Sequence, residues 1–498
     1  LIIHKTKTNM SHKSNIAVLN SIIAFCFLLL ISSCNDNGKE KGTDGSGSDT
    51  SSTTYIRKNA SRPEAAADLE ALQVALAKMK QMPCDTTYSW YYQGGIHSVP
   101  DEVPNKNPLC PSYTKMSDMK TAWMNCTHDP EGFSELHFLI WHRLYTWHFE
   151  QIVRKLSGKK DFAMPYWDYT DTAYRVMPEI FRNPKDSLYE SARLKGLNNG
   201  EAIAKFMNKK LDMTKNNQSK LYADFDAAVD QAPHGAMHNY IGGAYAGDST
   251  MWNRIYQGPN YGLMANVPSA AFDPIFWVHH SNIDYLWQKW DMSANGARPI
   301  LDSLLTYPWA YVFFDADGKK VEYTIQQALE KAFNLDYKYE GLEKAPKLLQ
   351  GKKQTAENRE EVFSASVEIP ITTASKAITV TVPTTKVTPL LKTKDMTRKV
   401  TTLEIVASFK TQPRSDYEIY IDTDKADDAK LAGILTFFGA MEMRKPAPEY
   451  TKKFRFDVTD ELDIKKLGGT LKFFVVKSGP GKAGEVTIKS VKLLTASY

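Results

Sequence analysis

A chain of 498 residues is long enough for about three domains at ~150 residues each, which excludes a single small module. Lys and Arg number 62 against 57 Asp and Glu, a difference of five, so no basic stripe marks nucleic acid as a partner. Aromatic content of 11%, with 10 Trp and 25 Tyr, requires packed interiors and excludes a disordered chain.

Met10 opens a short basic stretch followed by an apolar run from Ile16 to Ile31, too brief for a spanning helix and suited to a signal peptide. Its end, Ile31-Ser32-Ser33-Cys34, resembles the lipobox of bacterial lipoproteins, in which the Cys carries the lipid. Residues 1–34 are therefore expected to comprise discarded upstream residues and a signal peptide, with Cys34 lipidated and the product tethered to a bacterial membrane in the cell envelope. Residues 35–63, rich in Gly, Ser, Thr, Asp and Lys, read as a flexible tether. Three cysteines then remain. An oxidising envelope would pair Cys84 with Cys110 and leave Cys126 over.

Nine of the 11 histidines lie between His97 and His280, and none follows. The segment from Ser134 to Leu156 has no Gly or Pro and repeats its apolar residues at helical spacing, which predicts a buried helix. At 100° per residue, His137 and His148 fall within about 20° of each other, whereas His142 points some 120–140° away. Those three cannot converge on one ion, and spacing leaves His142 undecided between core residue and ligand. After Pro233, which fits a helix start, His234 and His238 stand about 40° apart on one helical face, the spacing that lets two imidazoles grip one metal. In FDPIFWVHHSNIDYLWQKW the apolar stripe of Ile283, Leu286 and Trp290 continues from His279, so His280, off that stripe, is the expected ligand. Imidazole-only donors suit copper, zinc or nickel; neither Glu-x-x-His nor His-Glu-x-x-His occurs, which removes carboxylate-bridged di-iron and one class of zinc protease.

These residues match a family. The phrases SWYYQGGIH, WMNCTH, FLIWHRLYTWHFE, FAMPYWDYTD, HGAMHNYIGG and DPIFWVHHSNIDYLW resemble the type-3 copper proteins, and within them the tyrosinases and polyphenol oxidases. The resemblance implies two copper ions per chain, one held by His97, His128 and His142, the other by His234, His238 and His280. The interval from His128 to His142 is longer than the resemblance leads one to expect, so DPEGFSEL reads as an insertion and His137 stays a rival to His128. Cys126-Thr127-His128 has the spacing at which some members join Cys to His by a thioether, which would account for the odd cysteine. Asp230 stands where relatives tend to carry a Glu that holds water, an acid/base candidate whose bland alternative is a helix-terminal carboxylate. Gly235 follows the first ligand of the second copper, where related tyrosinases often carry Asn.

The expected fold is a mainly α helix-bundle dicopper domain over residues 64–297, then a small middle domain over 298–351, a polar linker over 352–361 and a C-terminal β-sandwich over 362–498. The sandwich rests on alternating β-prone runs such as AITVTVP, TTLEIVASF, DYEIYIDT and TLKFFVV; the middle and C-terminal segments also resemble those of plant polyphenol oxidases. The implied function is oxidation of catechols, and more slowly of monophenols, to o-quinones with dioxygen. The alternative is a haemocyanin-like oxygen carrier, which uses the same ligands and denies substrate entry. Plant relatives keep such a C-terminal domain over the copper site, and in residues 431–443 Phe437 and Phe438 are the candidates to fill its entrance.

Overall fold

The computed structural model describes residues 54–99, 109–112, 118, 136–305, 310–342, 359–371, 376–381, 399–441, 447–464, 467, 469–482 and 484–497. Cys34, most of the tether, Cys126, His128 and residues 352–358 of the linker lie outside the described residues. Among the described residues no helix is long and apolar enough to cross a membrane.

Strand β1 (Tyr55–Arg57) pairs in parallel with residues 337–339, placing Tyr55 opposite Tyr337 and Arg57 opposite Tyr339. The tether expected through residue 63 therefore stops short of Tyr55. The Gly- and Ser-rich composition ends there, and an aromatic, a β-branched residue and a cation with buried acidic partners supply what a tether lacks.

Helix α1 (Ala66–Gln81) buries Leu69, Leu72, Leu76 and Met79, a stripe at spacings of three and four, against the helix that follows the first histidine. Helix α2 (Trp90–His97) is capped by Ser89, whose hydroxyl accepts from the Tyr92 N–H at 3.1 Å. Helix α3 (Phe138–Ser157) begins four residues later than the sequence pattern suggests, which leaves His137 at its N-cap position, outside the helix. Helix α4 (Tyr222–Val229) leads into a wide turn over residues 230–235, where Ala232 is extended, and helix α5 (Ala236–Ile241) follows. Pro233 thus sits in the kink, three residues ahead of the helix it was expected to start. Helix α6 (Ile275–Asp291) starts behind Pro274, as Pro at a helix entry allows, and packs on α3.

The antiparallel hairpin β2 (Tyr311–Phe314) and β3 (Lys320–Tyr323), helix α7 (Ile325–Ala332) and strand β4 (Tyr337–Tyr339) complete the middle segment. Tyr311, Val312, Phe313 and Phe314 are buried in the same apolar cluster as the helices, so this segment shares the bundle's core.

The C-terminal residues form β5 (Glu360–Ile371), β6 (Lys376–Thr381), β7 (Lys399–Phe409), β8 (Asp416–Ile421), β9 (Leu431–Leu435), β10 (Tyr450–Asp457), β11 (Thr470–Ser478) and β12 (Val486–Ser497). They make two four-stranded antiparallel sheets, ordered β9-β8-β11-β6 and β10-β7-β12-β5, which contribute to one hydrophobic cluster. Strand β5 begins inside the expected linker, and Arg359 just before it pairs with the buried Asp224 of α4 at 2.9 Å.

Behind the histidine-bearing helices lies a buried ionic knot. Asp284 on α6 accepts from Arg143 on α3, from Arg57 on β1 at 3.1 Å and from the Tyr339 hydroxyl at 2.6 Å, while Arg57 also reaches Glu150 at 2.8 Å. Arg57 and Glu150 are fully buried. Burial alone would raise the Asp284 pKa, but Arg143 and Arg57 outweigh it and hold the carboxyl below its ordinary value. Breaking one arm of such a buried pair leaves charge uncompensated, so Arg57→Met should cost about 3–5 kcal/mol in urea denaturation. The Asp284 contribution is full above the unfolded carboxylate value of ~3.9 and is lost as pH falls through the lower folded value, so acid unfolding should start at higher pH in Arg57→Met.

Candidate metal centre

Six imidazoles from four helices and the wide turn meet in the bundle: His97 ends α2, His142 lies in α3, His234 in the wide turn, His238 in α5, and His279 and His280 in α6. The approach of α2 depends on Gly94, where a Cβ would stand 2.6 Å from the Phe272 ring. Every one of the six is at most 3% exposed.

The ring nitrogens show how each imidazole is set. Nδ1 of His97 donates to Val267 O at 3.0 Å, Nδ1 of His142 to Phe138 O at 2.8 Å, and Nδ1 of His238 to Met264 O at 2.8 Å. A carbonyl only accepts, so these bonds fix the neutral tautomer with its lone pair on Nε2, the form that ligates a metal. His234 Nδ1 lies 3.2 Å from Asp230 O and 3.0 Å from Asp230 Oδ1. The Asp230 carboxylate thus stands on the Nδ1 side of the His234 ring, as an orienting partner of that imidazole.

One nitrogen each of His234, His238, His279 and His280 lies within 4.8 Å of the others. From the other side, the His142 ring stacks on His280 with centroids 4.4 Å apart, and His97 adjoins His142 at 5.7 Å. His280 therefore sits between the two groups, and neither of its ring nitrogens has a hydrogen-bond partner among the described residues. His279 differs, because its Nδ1 is 2.9 Å from the Tyr169 hydroxyl. Burial, reinforced by neighbouring imidazoles, drives the pKa values of both His279 and His280 well below the ordinary histidine value, so both are neutral. A dry imidazole with two unsatisfied nitrogens is costly, and a metal ion on one of them would remove part of that cost.

The other two described histidines turn elsewhere. His137 Nδ1 lies 2.5 Å from the Tyr311 hydroxyl, and burial pulls its pKa down to about 4. His148 stacks on Phe313 and places Nε2 3.0 Å from the Tyr323 hydroxyl, its pKa lowered to about 3 by burial and Lys331. Cys84 and Cys110 are joined in a disulfide.

The C-terminal sheets reach this centre. The Phe438 ring stacks on His238 with centroids 4.2 Å apart and presents an edge to His234 at 5.7 Å. Phe437 turns the other way, into the sheet core against Phe409 and Phe454. A Cβ at Gly235 would stand 3.1 Å from the Phe438 Cβ and 3.2 Å from Thr436, so a larger residue there would press on this contact. The sequence marks Gly235 only as a position where related tyrosinases often carry Asn and gives no signal for the neighbour it accommodates.

A family model described as the common central domain of tyrosinase matches residues 87–195 and 177–293. Residues 87–293 of this chain thus carry a domain similar to the common central domain of tyrosinase. The chain is 29% identical over 287 residues to a tyrosinase of Hahella sp. (strain CCB-MM4), covering 53% of this chain and 59% of that one. It is 26% identical over 279 residues to a chloroplastic polyphenol oxidase of Malus domestica, covering 50% and 45%. The matched region thus spans about half the length of these curated relatives. The fold is similar to a latent aurone synthase (polyphenol oxidase), with a TM-score of 0.62 at 16% identity over 92% of both chains, and to a latent apple tyrosinase, with 0.58 at 20% identity over 89% of this chain and 98% of that one. The tyrosinase family implies a dicopper centre, and the buried imidazole cluster is consistent with it.

Two outcomes follow for copper content, measured by elemental analysis and chelator competition. His142→Ala should lose bound copper while His148→Ala keeps it, because the helix turns His148 toward Tyr323. Asp230→Ala removes a partner of the His234 Nδ1 and should weaken copper binding by about 10–100-fold, as loss of such an outer partner typically does.

Proposed function

We propose that the chain is a dicopper phenol oxidase that converts o-diphenols to o-quinones with dioxygen, accepting monophenols more slowly. The observation that carries this reading is the convergence of six buried imidazoles in a tyrosinase-family domain, three with Nδ1 locked on backbone carbonyls. His97, His128 and His142 would hold one copper, and His234, His238 and His280 the other. His280 is favoured over His279 by its position between the two groups. Copper bound there would supply the two-electron chemistry between dioxygen and a catechol. The polypeptide's part is to keep the imidazoles neutral, fix their tautomers and exclude water from the reacting atoms. Cys126 and His128 are proposed to form a thioether, which peptide mass would reveal.

The match to proteins named tyrosinase and polyphenol oxidase favours an oxidase over an oxygen carrier. We further read the two C-terminal sheets as a β-sandwich that holds the enzyme latent, since Phe438 occupies the imidazole face on which a phenol ring would lie. Export, lipidation at Cys34 and residence in the cell envelope complete the proposal, and Cys34→Ala should release the protein from membranes.

The test is metal analysis joined to quinone formation on a panel of mono- and diphenols. The expected result is two coppers per chain and faster turnover of diphenols, with a several-fold rise after cleavage within residues 352–358 and no loss of copper. Reversible oxygen binding without quinone formation in the cleaved protein would establish the carrier instead.

A further inference from the structure

The segment that carries Phe438 leaves the end of β9 as Thr436-Phe437-Phe438 and is held by side chains of its own domain. Lys452 lies on β10, in the opposite sheet, paired across from Ala407. Its ammonium reaches over to the turn and donates to Thr436 O at 2.8 Å and to Phe438 O at 3.3 Å. The intervening carbonyl, Phe437 O, accepts from the Gln412 side chain. Three consecutive carbonyls are thus claimed from within the sheet domain, and Lys452 is itself only 7% exposed. Toward the bundle, the same turn offers the Phe438 ring to His238 and the Thr436 N–H to Gln231 Oε1 at 3.3 Å.

We propose that Lys452 is the latch of the plug: by binding the carbonyls on both sides of Phe437 it holds the turn in the shape that seats Phe438 on His238, and so sets how rarely the copper site opens to substrate. The chemistry suits this role. A buried ammonium makes charge-assisted bonds to carbonyls, stronger than neutral ones, and it bridges the two sheets, so the turn cannot swing away without breaking both. Lys452 touches neither substrate nor metal and acts through Phe438, which makes it a positioning residue. The inference rests on the latency reading above and names the device that maintains it.

A plug that opens transiently lowers the fraction of competent enzyme, and this raises the apparent KM for catechol by the inverse of that fraction. In the copper-loaded full chain, Lys452→Met should therefore lower KM several-fold with little change in kcat and no loss of copper. Amide exchange across residues 436–438 should quicken as well, a change that reports the turn directly. Phe438→Ala should lower KM in the same way, and adding Lys452→Met to it should produce no further drop, because both act on one element. If Phe438→Ala leaves KM unchanged, the latency reading fails. If Phe438→Ala lowers KM while Lys452→Met alters neither KM nor exchange at 436–438, Lys452 is not the latch. Should Lys452→Met fail to fold, Lys452→Gln, which keeps one uncharged donor, is judged by the same criteria.

Discussion

One buried carboxylate holds the histidine-bearing helices in register. Asp284 joins α6 to α3 through Arg143 and to the N-terminal strand through Arg57, with Tyr337 and Tyr339 on its remaining lone pairs. Arg143 follows His142 directly, and Asp284 lies one helical turn beyond His280. Each helix therefore presents an imidazole on the side facing its partner rings and, about a quarter turn or one turn away, a charge to the knot. Arg57 stacks on the Tyr337 ring and Arg143 on Trp287, each with its guanidinium carbon 3.5 Å from the ring centroid. Dense pairing is what makes a buried ionic cluster tolerable even though one Nη2 each of Arg57 and Arg143 has no hydrogen-bond partner among the described residues, and it makes the spacing of His142 and His280 a consequence of charge pairing as well as of packing.

Much of this architecture is legible in the residues. The nearness of His234 and His238 follows from their i, i+4 spacing, and the four quoted β-prone runs each overlap a strand. What escaped has physical reasons. Strand β1 is three residues long and pairs with residues nearly three hundred positions away, so no local pattern announces it. The wide turn at 230–235 keeps the two imidazoles together although Pro233 does not open a helix: the turn ends at Gly235, and α5 carries on with His238. Asp230 has the right spacing for an active-site carboxylate, but spacing does not tell which nitrogen of His234 it meets. Leu431–Leu435 reads as an apolar run and is a strand, and Phe438 is carried by the residues just after it.

Several ion pairs join the bundle to the sheets. Lys210 faces Asp416 at 3.4 Å, Lys209 faces Glu418 and Asp428, Lys215 meets Glu461, and Arg359 returns the pairing to Asp224. Burial raises the Asp416 carboxyl despite Lys210 and the Tyr245 hydroxyl, so at least one of these groups is held at a cost in solvation. Mutual charge of this kind fixes orientation more than it adds affinity, and interfaces between domains that separate in use share that polar character.

The apolar clusters divide along the same line. The bundle's core runs through the middle segment to Ala332, the sheets have a core of their own, and Phe438 is the described C-terminal residue that belongs to the bundle's cluster. Apart from it, Leu221 with Val400 and Ala496 makes a small apolar bridge. A sheet domain fused to the bundle by a continuous hydrophobic interior would separate only at the cost of unfolding. One ring in the metal centre, a small apolar bridge and a set of ion pairs is a different arrangement, because withdrawing Phe438 would open the imidazole face to a ligand of similar size and aromaticity. The burial of His234 and His238 is therefore partly owed to the Phe438 ring, and under the latency proposed above the closed state and access to the site would be two positions of that one side chain.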